Sequence, residues 1–270
     1  MKFTIKGLGL VLLTFLILNI GFKKLGNLYL DDELTEFLLY KSVFKLTLAL
    51  VALAVLVRLG LFYVNDINRN KIISSISIIL LLFLSINYVT NNIAIPLLSK
   101  SHTLFLLSTI TTGLFEEIFN RLLVFGMIYC YLDQLKTNSL YFKAVLLSSI
   151  VFGILHLSNL LDSDYDKLSV INQAILATGV GFLLQVLLVR IKNLIFIIFL
   201  HSTMNYLGSY RIIQEFNYEN QSKFLEMSSF EIAFNLAMFA IISCVLILIG
   251  YVILNSTRNR LNIRCRNNMA

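Results

Sequence analysis

Eight apolar segments run through this 270-residue chain, and each is long enough to cross a membrane as a helix. A hydrocarbon core of ~30 Å needs about 20 helical residues. Hydrophobic residues make up 58% of the chain and charged residues 14%, so a water-soluble domain would expose too much apolar surface. The sequence therefore predicts an all-α integral membrane protein, a polytopic bundle of about eight transmembrane helices forming one domain over 1–270. The predicted spans are approximately 4–22, 37–61, 72–90, 103–131, 141–161, 170–189, 193–210 and 232–254.

Basic residues between the spans predict the orientation of the chain in the membrane. With the N-terminus inside, the inner segments carry about twice as many Lys and Arg residues as the outer loops. This bias predicts a multi-pass protein of the cell membrane with both termini in the cytoplasm. The net charge of +7 has the same explanation. No basic stripe alternates with aromatic residues, so the predicted surroundings are lipid, and nucleic acid is not a predicted partner.

Ionisable residues inside a span are costly and therefore point to function. Glu116, Glu117 and Arg121 lie in the middle of the fourth span. Glu117 and Arg121 are four residues apart, so they share a helix face and are predicted to form an ion pair. Glu116 points about 100° away from Glu117 on a regular helix. It therefore needs a partner of its own: a proton, a metal ion, a water molecule or a histidine.

Three basic residues of the second span have a simpler interpretation. Lys41, Lys45 and Arg58 are read as lying toward the ends of that span. Long basic side chains near a span end can extend to the lipid headgroups. The sequence therefore assigns them no role in a site.

Two of the three histidines lie inside spans, and each has a companion one helical turn away. Phe152 precedes His156, and Asn205 follows His201. A lone histidine on an apolar helix is more often a packing residue than a ligand. Two histidines, an amide and an unpaired glutamate on three helices instead predict a polar core, because a helical bundle can bring such residues together.

A carboxylate and two imidazoles around a water molecule suggest hydrolysis. Glu116 can act as a general base with histidine assistance. Alternatively, Glu116, His156 and His201 can hold a divalent metal such as zinc that activates the water. The amide of Asn205 can stabilise an oxyanion. The motifs HExxH and GxSxG are absent from the sequence, and so is a Walker loop.

These residues resemble the three motifs of the CPBP intramembrane proteases. That family includes type II CAAX prenyl endopeptidases and bacterial proteins of bacteriocin processing or self-immunity. The motifs occur in the family's order on three separate spans, and the resemblance covers residues 103–210. The motifs are Glu116-Glu117-x-x-x-Arg121, Phe152-x-x-x-His156 and His201-x-x-x-Asn205.

The resemblance implies a role for each motif residue. Glu116 would activate water, and His156 would assist it as a partner or a metal ligand. His201 and Asn205 would bind the oxyanion or complete the water site. The family's mechanism is read either as glutamate-based or as metal-dependent, and the sequence favours neither. Supporting roles are implied for Glu117 and Arg121, through their ion pair, and for Phe152, through packing that places His156.

The predicted function is that of an intramembrane endopeptidase acting on a peptide or a membrane-associated protein. A composition rich in Ile, Leu, Asn and Lys is typical of an AT-rich bacterial genome, which favours secreted or leader peptides over prenylated tails. The alternative is a non-enzymatic self-immunity or scaffold protein of the same fold. A transporter is disfavoured, because the sequence lacks an inverted repeat and paired Gly/Pro-broken helices. The side to which the site opens is left undecided.

Overall fold

The computed structural model describes residues 4–29, 34–61, 100–161, 167–217 and 229–255, and every regular element in these ranges is helical. The all-helical prediction is confirmed for this part of the chain. The predicted span 72–90 lies outside the described residues, and the prediction of eight spans is not confirmed. The helices are α1 (Ile5–Tyr29), α2 (Leu34–Leu59), α3 (100–134), α4 (Leu140–His156, continued by a 3₁₀ turn over Leu157–Leu161), α5 (Lys167–Ile191), α6 (Leu194–Asn217) and α7 (Ser229–Asn255).

Within the described ranges, four helical stretches are long and apolar enough to cross a membrane. Helix α5 is mostly buried inside the bundle, whereas α7 leaves most of its apolar side chains exposed. An exposed apolar face of this size suits lipid rather than water. The four stretches are Glu36–Leu59, Leu140–Leu161, Lys167–Ile191 and Ile232–Asn255.

Helix α3 lies at the centre and changes its hydrogen-bonding pattern halfway along. It is α-helical over Lys100–Glu116, π-helical over Glu117–Val124 and α-helical again over Phe125–Gln134. All eight π-helical residues are buried. Helices α2, α4 and α6 pack against α3, and α5 packs against both α4 and α7. Because π-helical turns are rare and often mark functional sites, this segment is a candidate location for the site.

Small residues let the central helices approach closely. A methyl group at Gly113 of α3 would collide with Ser202 of α6, and one at Gly153 of α4 would collide with Thr178 of α5. Small residues permit such backbone approaches between helices in membranes. Gly113 is three residues before Glu116, and Ser202 follows His201 directly. The first contact therefore brings two of the sequence motifs beside each other.

The contact between α5 and α7 gives a test of the packing. A methyl group at Gly179 would lie 2.6 Å from Cα and 2.8 Å from the carbonyl oxygen of Ser243. We expect Gly179→Ala to lower the free energy of unfolding by about 2 kcal/mol, because the backbone of α7 must move. Thermal unfolding in detergent micelles measures this effect. Gly9→Ala is the matched control, since a methyl group there meets nothing within 4 Å, and an equal loss in both variants would contradict the packing.

Candidate active site

His201 joins the two adjacent glutamates. Its Nδ1 lies 2.6 Å from Oε1 of Glu117, and its Nε2 lies 3.3 Å from Oε2 of Glu116. A carboxylate oxygen accepts hydrogen bonds, so Nδ1–H donates to Glu117. Nε2 then faces Glu116, and one proton placed between them can reside on either group. The sequence analysis left a histidine open as one of four kinds of partner for Glu116. The structure places His201 in that position.

Two side chains compensate the negative charge of Glu117. Nε of Arg121 donates to Oε2 of Glu117 over 3.1 Å, while His201 uses the other carboxylate oxygen. The side chains of Glu117 and Arg121 are both fully buried. The predicted ion pair is present, and its contact with His201 joins the π-helical segment of α3 to α6.

Glu116 differs from Glu117 in its accessibility. The side chain of Glu116 is 18% exposed, whereas that of Glu117 is 0% exposed. A group that activates water must be reachable by it. The geometry therefore makes Glu116 the candidate general base and Glu117 a structural carboxylate.

The ring of Phe152 lies among the other site residues. The guanidinium carbon of Arg121 is 4.8 Å from the ring centroid. The rings of His156 and His201 are 4.6 Å and 5.9 Å away, and both are nearly perpendicular to it. Phe152 thus contacts the ion pair and both histidines, which is a wider packing role than the placement of His156 alone.

His156 is oriented by its own helix. Its Nδ1 lies 2.9 Å from the carbonyl oxygen of Phe152. A carbonyl oxygen only accepts, so Nδ1 carries the proton and Nε2 keeps its lone pair when the ring is neutral. His156 can therefore offer Nε2 to a water molecule or a metal ion.

Asn205 lies one helical turn after His201 on α6 and is half-buried. Its assignment to the oxyanion site stays a prediction. The helix places its amide on the same side of α6 as His201, since residues four apart share a face.

A metal ion at this site would need several donor side chains grouped around one point. Among the described residues, no group of three His, Cys, Asp or Glu side chains is placed to hold a metal ion. Nε2 of His201 and Oε2 of Glu116 lie 3.3 Å apart, which is close to the separation of two ligand atoms on one tetrahedral zinc ion. No third donor of these types joins them among the described residues, and the metal-dependent mechanism stays a prediction.

Lys45 is a residue that the sequence interpretation misplaced. It lies eleven residues after Leu34, in the interior of α2, and not toward a span end. Its Nζ donates to Oδ1 of Asn19 over 3.0 Å and lies 4.9 Å from the ring centroid of Phe115. The snorkelling interpretation is therefore wrong for Lys45. Its position within the apolar span, away from both ends, was the sequence feature that could have indicated this.

The segment that carries the three motifs is similar to a known protein family. Residues 98–207 match the sequence model of a family described as type II CAAX prenyl endopeptidase Rce1-like. This segment of the chain is similar to that family. The predicted family is thereby confirmed, and the Rce1-like segment includes all three motifs. Comparisons with curated proteins and with solved structures found no match.

Two general statements follow from the Rce1-like segment. The family and the four apolar helices together indicate a multi-pass membrane protein. The family also indicates a protease of the CAAX type. Helices α1, α2 and α7 lie outside the matched residues.

The buried ion pair generates a stability prediction. Arg121→Met leaves the carboxylate of Glu117 with His201 alone, and we expect a loss of about 3–5 kcal/mol in the free energy of unfolding. The double variant Arg121→Met/Glu117→Gln should lose less than the single one, because the uncompensated charge is gone. Thermal unfolding in detergent micelles compares the double variant with Arg121→Met and with Glu117→Gln. A double variant as unstable as the sum of the single variants would contradict the pairing.

Proposed function

We propose that the chain is an intramembrane endopeptidase in which Glu116 activates the water that attacks a peptide bond. The observation that carries this proposal is the contrast between the two neighbouring glutamates. Glu117 is fully buried between Arg121 and His201, while Glu116 is partly exposed and contacts only the other face of His201 among the ion pairs of the described residues. One carboxylate is fixed by two partners, and the other is partly exposed.

The proposed reaction uses the groups in order. Glu116 takes a proton from water as the water oxygen bonds to the scissile carbonyl carbon. Nε2 of His156 accepts the second hydrogen of that water and orients it. The proton between His201 and Glu116 then resides on Nε2 of His201, and this N–H and the amide of Asn205 donate to the oxygen that becomes negative. The carbon–nitrogen bond then breaks, and Glu116 returns its proton to the leaving amine.

The arrangement favours a direct glutamate mechanism over a metal-dependent one. Both ring nitrogens of His201 face carboxylate oxygens, at 2.6 Å and 3.3 Å. A catalytic zinc ion needs three protein ligands, and among the described residues no three His, Cys, Asp or Glu side chains are placed to hold one ion. We therefore assign proton transfer to Glu116 and treat zinc as the competing hypothesis.

The substrate class is proposed from the family and the composition. The family's description names a CAAX prenyl endopeptidase. The composition favours a bacterial cell membrane, where secreted or leader peptides are the available substrates. We propose a membrane-associated peptide, with bacteriocin precursors as one such class, and both termini of the chain in the cytoplasm.

Removal of the base tests the proposal. We expect Glu116→Gln to abolish peptide hydrolysis, because the amide keeps the size of the side chain and cannot take a proton. Wild type and variant are expressed at matched membrane levels in the native host, and secreted and membrane-associated peptides are profiled. The purified proteins are also assayed on a fluorogenic farnesylated CAAX peptide. New peptide termini that require Glu116 would identify the substrate.

Two controls separate the alternatives. Arg58→Gln changes an exposed residue of α2 and should leave all termini unchanged. Activity that survives a metal chelator supports the glutamate mechanism, whereas loss and recovery on adding zinc would support the metal. If Glu116→Gln rescues a deletion phenotype as well as wild type and no termini differ, the protein acts by binding, as in self-immunity or a scaffold.

The oxyanion assignment gives a separate prediction. We expect Asn205→Ala to lower kcat by about 10²–10³, with little change in KM, because the amide acts mainly in the transition state. Steady-state kinetics on the cleaved peptide measure both constants. Thr203→Ala, on the same helix, is the control, since its hydroxyl donates to the backbone of Phe199. A rise in KM alone would instead assign Asn205 to substrate binding.

A further inference from the structure

Asn120 is a polar residue of the π-helical segment that none of the three motifs specifies. It lies on α3 four residues after Glu116, and the residue is only 2% exposed. Its Nδ2 donates to the main-chain carbonyl oxygen of Glu116 over 3.0 Å. Asn120 therefore directly contacts the backbone of the residue that carries the proposed base.

This hydrogen bond lies where the type of helix changes. An α-helix pairs each carbonyl oxygen with the backbone N–H four residues later, whereas a π-helix uses the N–H five residues later. Glu116 ends the α-helical part of α3 and keeps helical dihedral angles, with φ −64° and ψ −37°. The helix thus continues without a break, and the amide of Asn120 supplies a donor to the carbonyl at which the pairing changes.

An asparagine is unfavourable at this position unless its amide has a role. Asn is disfavoured in helix interiors because its side chain competes with the backbone for hydrogen bonds. Oδ1 of Asn120 is buried and has no hydrogen-bond partner among the described residues. An apolar side chain would avoid the burial of this acceptor. The hydrogen bond from Nδ2 to Glu116 is the interaction that compensates for it.

Neighbouring side chains hold the helix on both sides of this point. The rings of Phe115 and Phe119 lie 5.6 Å apart, and the ring of Phe15 of α1 lies 4.4 Å from that of Phe119. Arg121 pairs with Glu117 over 3.1 Å. Because these contacts fix the helix before and after the change, a shift of the hydrogen-bonding register is confined to the turn that carries the two glutamates.

We propose that Asn120 is a positioning residue that stabilises the wide turn after Glu116 and so separates the environments of the two glutamates. Their side chains are 18% and 0% exposed, and this difference depends on the turn. The assignment rests on the proposed role of Glu116 in hydrolysis, but it does not depend on the charge of Glu116. Asn120 acts through the backbone of Glu116 and does not itself contact the reacting atoms.

Thiol labelling tests the position of residue 116 without any substrate. Glu116→Cys is introduced into the full-length chain with Asn120 intact and with Asn120→Ala, and both proteins react with a water-soluble maleimide in detergent micelles. Mass spectrometry of the labelled peptides separates position 116 from the native cysteines. We expect the labelling rate at position 116 to fall about fivefold with Asn120→Ala, which is the factor that one hydrogen bond supplies.

Two further variants control the labelling. Asn120→Ser should restore the rate, because a Ser hydroxyl in a helix can donate to the carbonyl four residues earlier. Leu135→Cys introduces a thiol at an exposed position just after the end of α3. It should react equally with Asn120 intact and with Asn120→Ala.

The activity of the full-length enzyme gives the second arm. On the farnesylated CAAX peptide, or on the peptide identified by profiling, Asn120→Ala should lower kcat about tenfold with KM unchanged, because Glu116 is displaced from the reacting atoms. Asn120→Ser should recover most of kcat. Thr111→Val is the matched control, since it removes another buried hydrogen bond from a side chain to the backbone of α3 and should leave kcat unchanged.

Several outcomes would overturn the proposal. An unchanged labelling rate with Asn120→Ala, a kcat equal to that of Thr111→Val, or failure of both Asn120 variants to fold would make the amide a packing group only. A raised KM with unchanged kcat would assign Asn120 to substrate binding. If Asn120→Ser is as impaired as Asn120→Ala, the position requires the acceptor Oδ1 and not the donor. If wild type shows no cleavage that depends on Glu116, the proposed function fails, and the labelling rates still decide the role of Asn120.

Discussion

The two-sided compensation of Glu117 is the interaction on which the rest of the site depends. A buried carboxylate is strongly unfavourable unless its charge and its hydrogen-bonding capacity are both matched. Arg121 supplies a charge from the same helix, and His201 supplies a donor from α6. Because both partners are needed, the interaction fixes the separation of α3 and α6 at the level of the motifs. The close contact of Gly113 with Ser202 allows the backbones to reach that separation.

The two glutamates, adjacent in sequence, thereby acquire different environments. Glu116 ends the α-helical part of α3, and Glu117 begins the π-helical part. The side-chain amide of Asn120 donates to the carbonyl oxygen of Glu116 over 3.0 Å, at the point where the hydrogen-bonding pattern changes. The wider turn directs one carboxylate into the bundle and leaves the other partly exposed. Phe152 then covers Arg121 and borders both histidines, so one apolar ring shapes the polar cluster.

All the motif residues lie in one segment of the chain, and helices outside that segment contact it. The Rce1-like segment contributes every motif residue, whereas α1 and α2 contribute Asn19 and Lys45. Aromatic contacts of Phe15 with Phe115 and Phe119 hold α1 against the segment. In a medium that solvates charge poorly, a buried acid and base need neighbours on every side. Helices outside the family match thus contact the segment that carries the motifs.

The sequence by itself determined the helices and the local ion pair. Seven of the eight apolar segments correspond to helices in the described residues, because a chain in lipid must satisfy its backbone within each segment. Glu117 and Arg121 pair because four residues make nearly one helical turn. Spacing and composition also indicated which residues were out of place in lipid.

Only the tertiary structure decided how those residues meet. The contact of His201 with Glu117 joins positions 84 residues apart, and no periodicity in the sequence specifies it. The π-helical segment has no comparable sequence signature, since local propensities barely distinguish it from an α-helix. The surroundings of Lys45 come from α1 and α3, which contribute Asn19 and Phe115. Its own helix therefore does not specify them. Short-range hydrogen bonding follows from local sequence, whereas charge compensation in a bundle depends on which helices pack together.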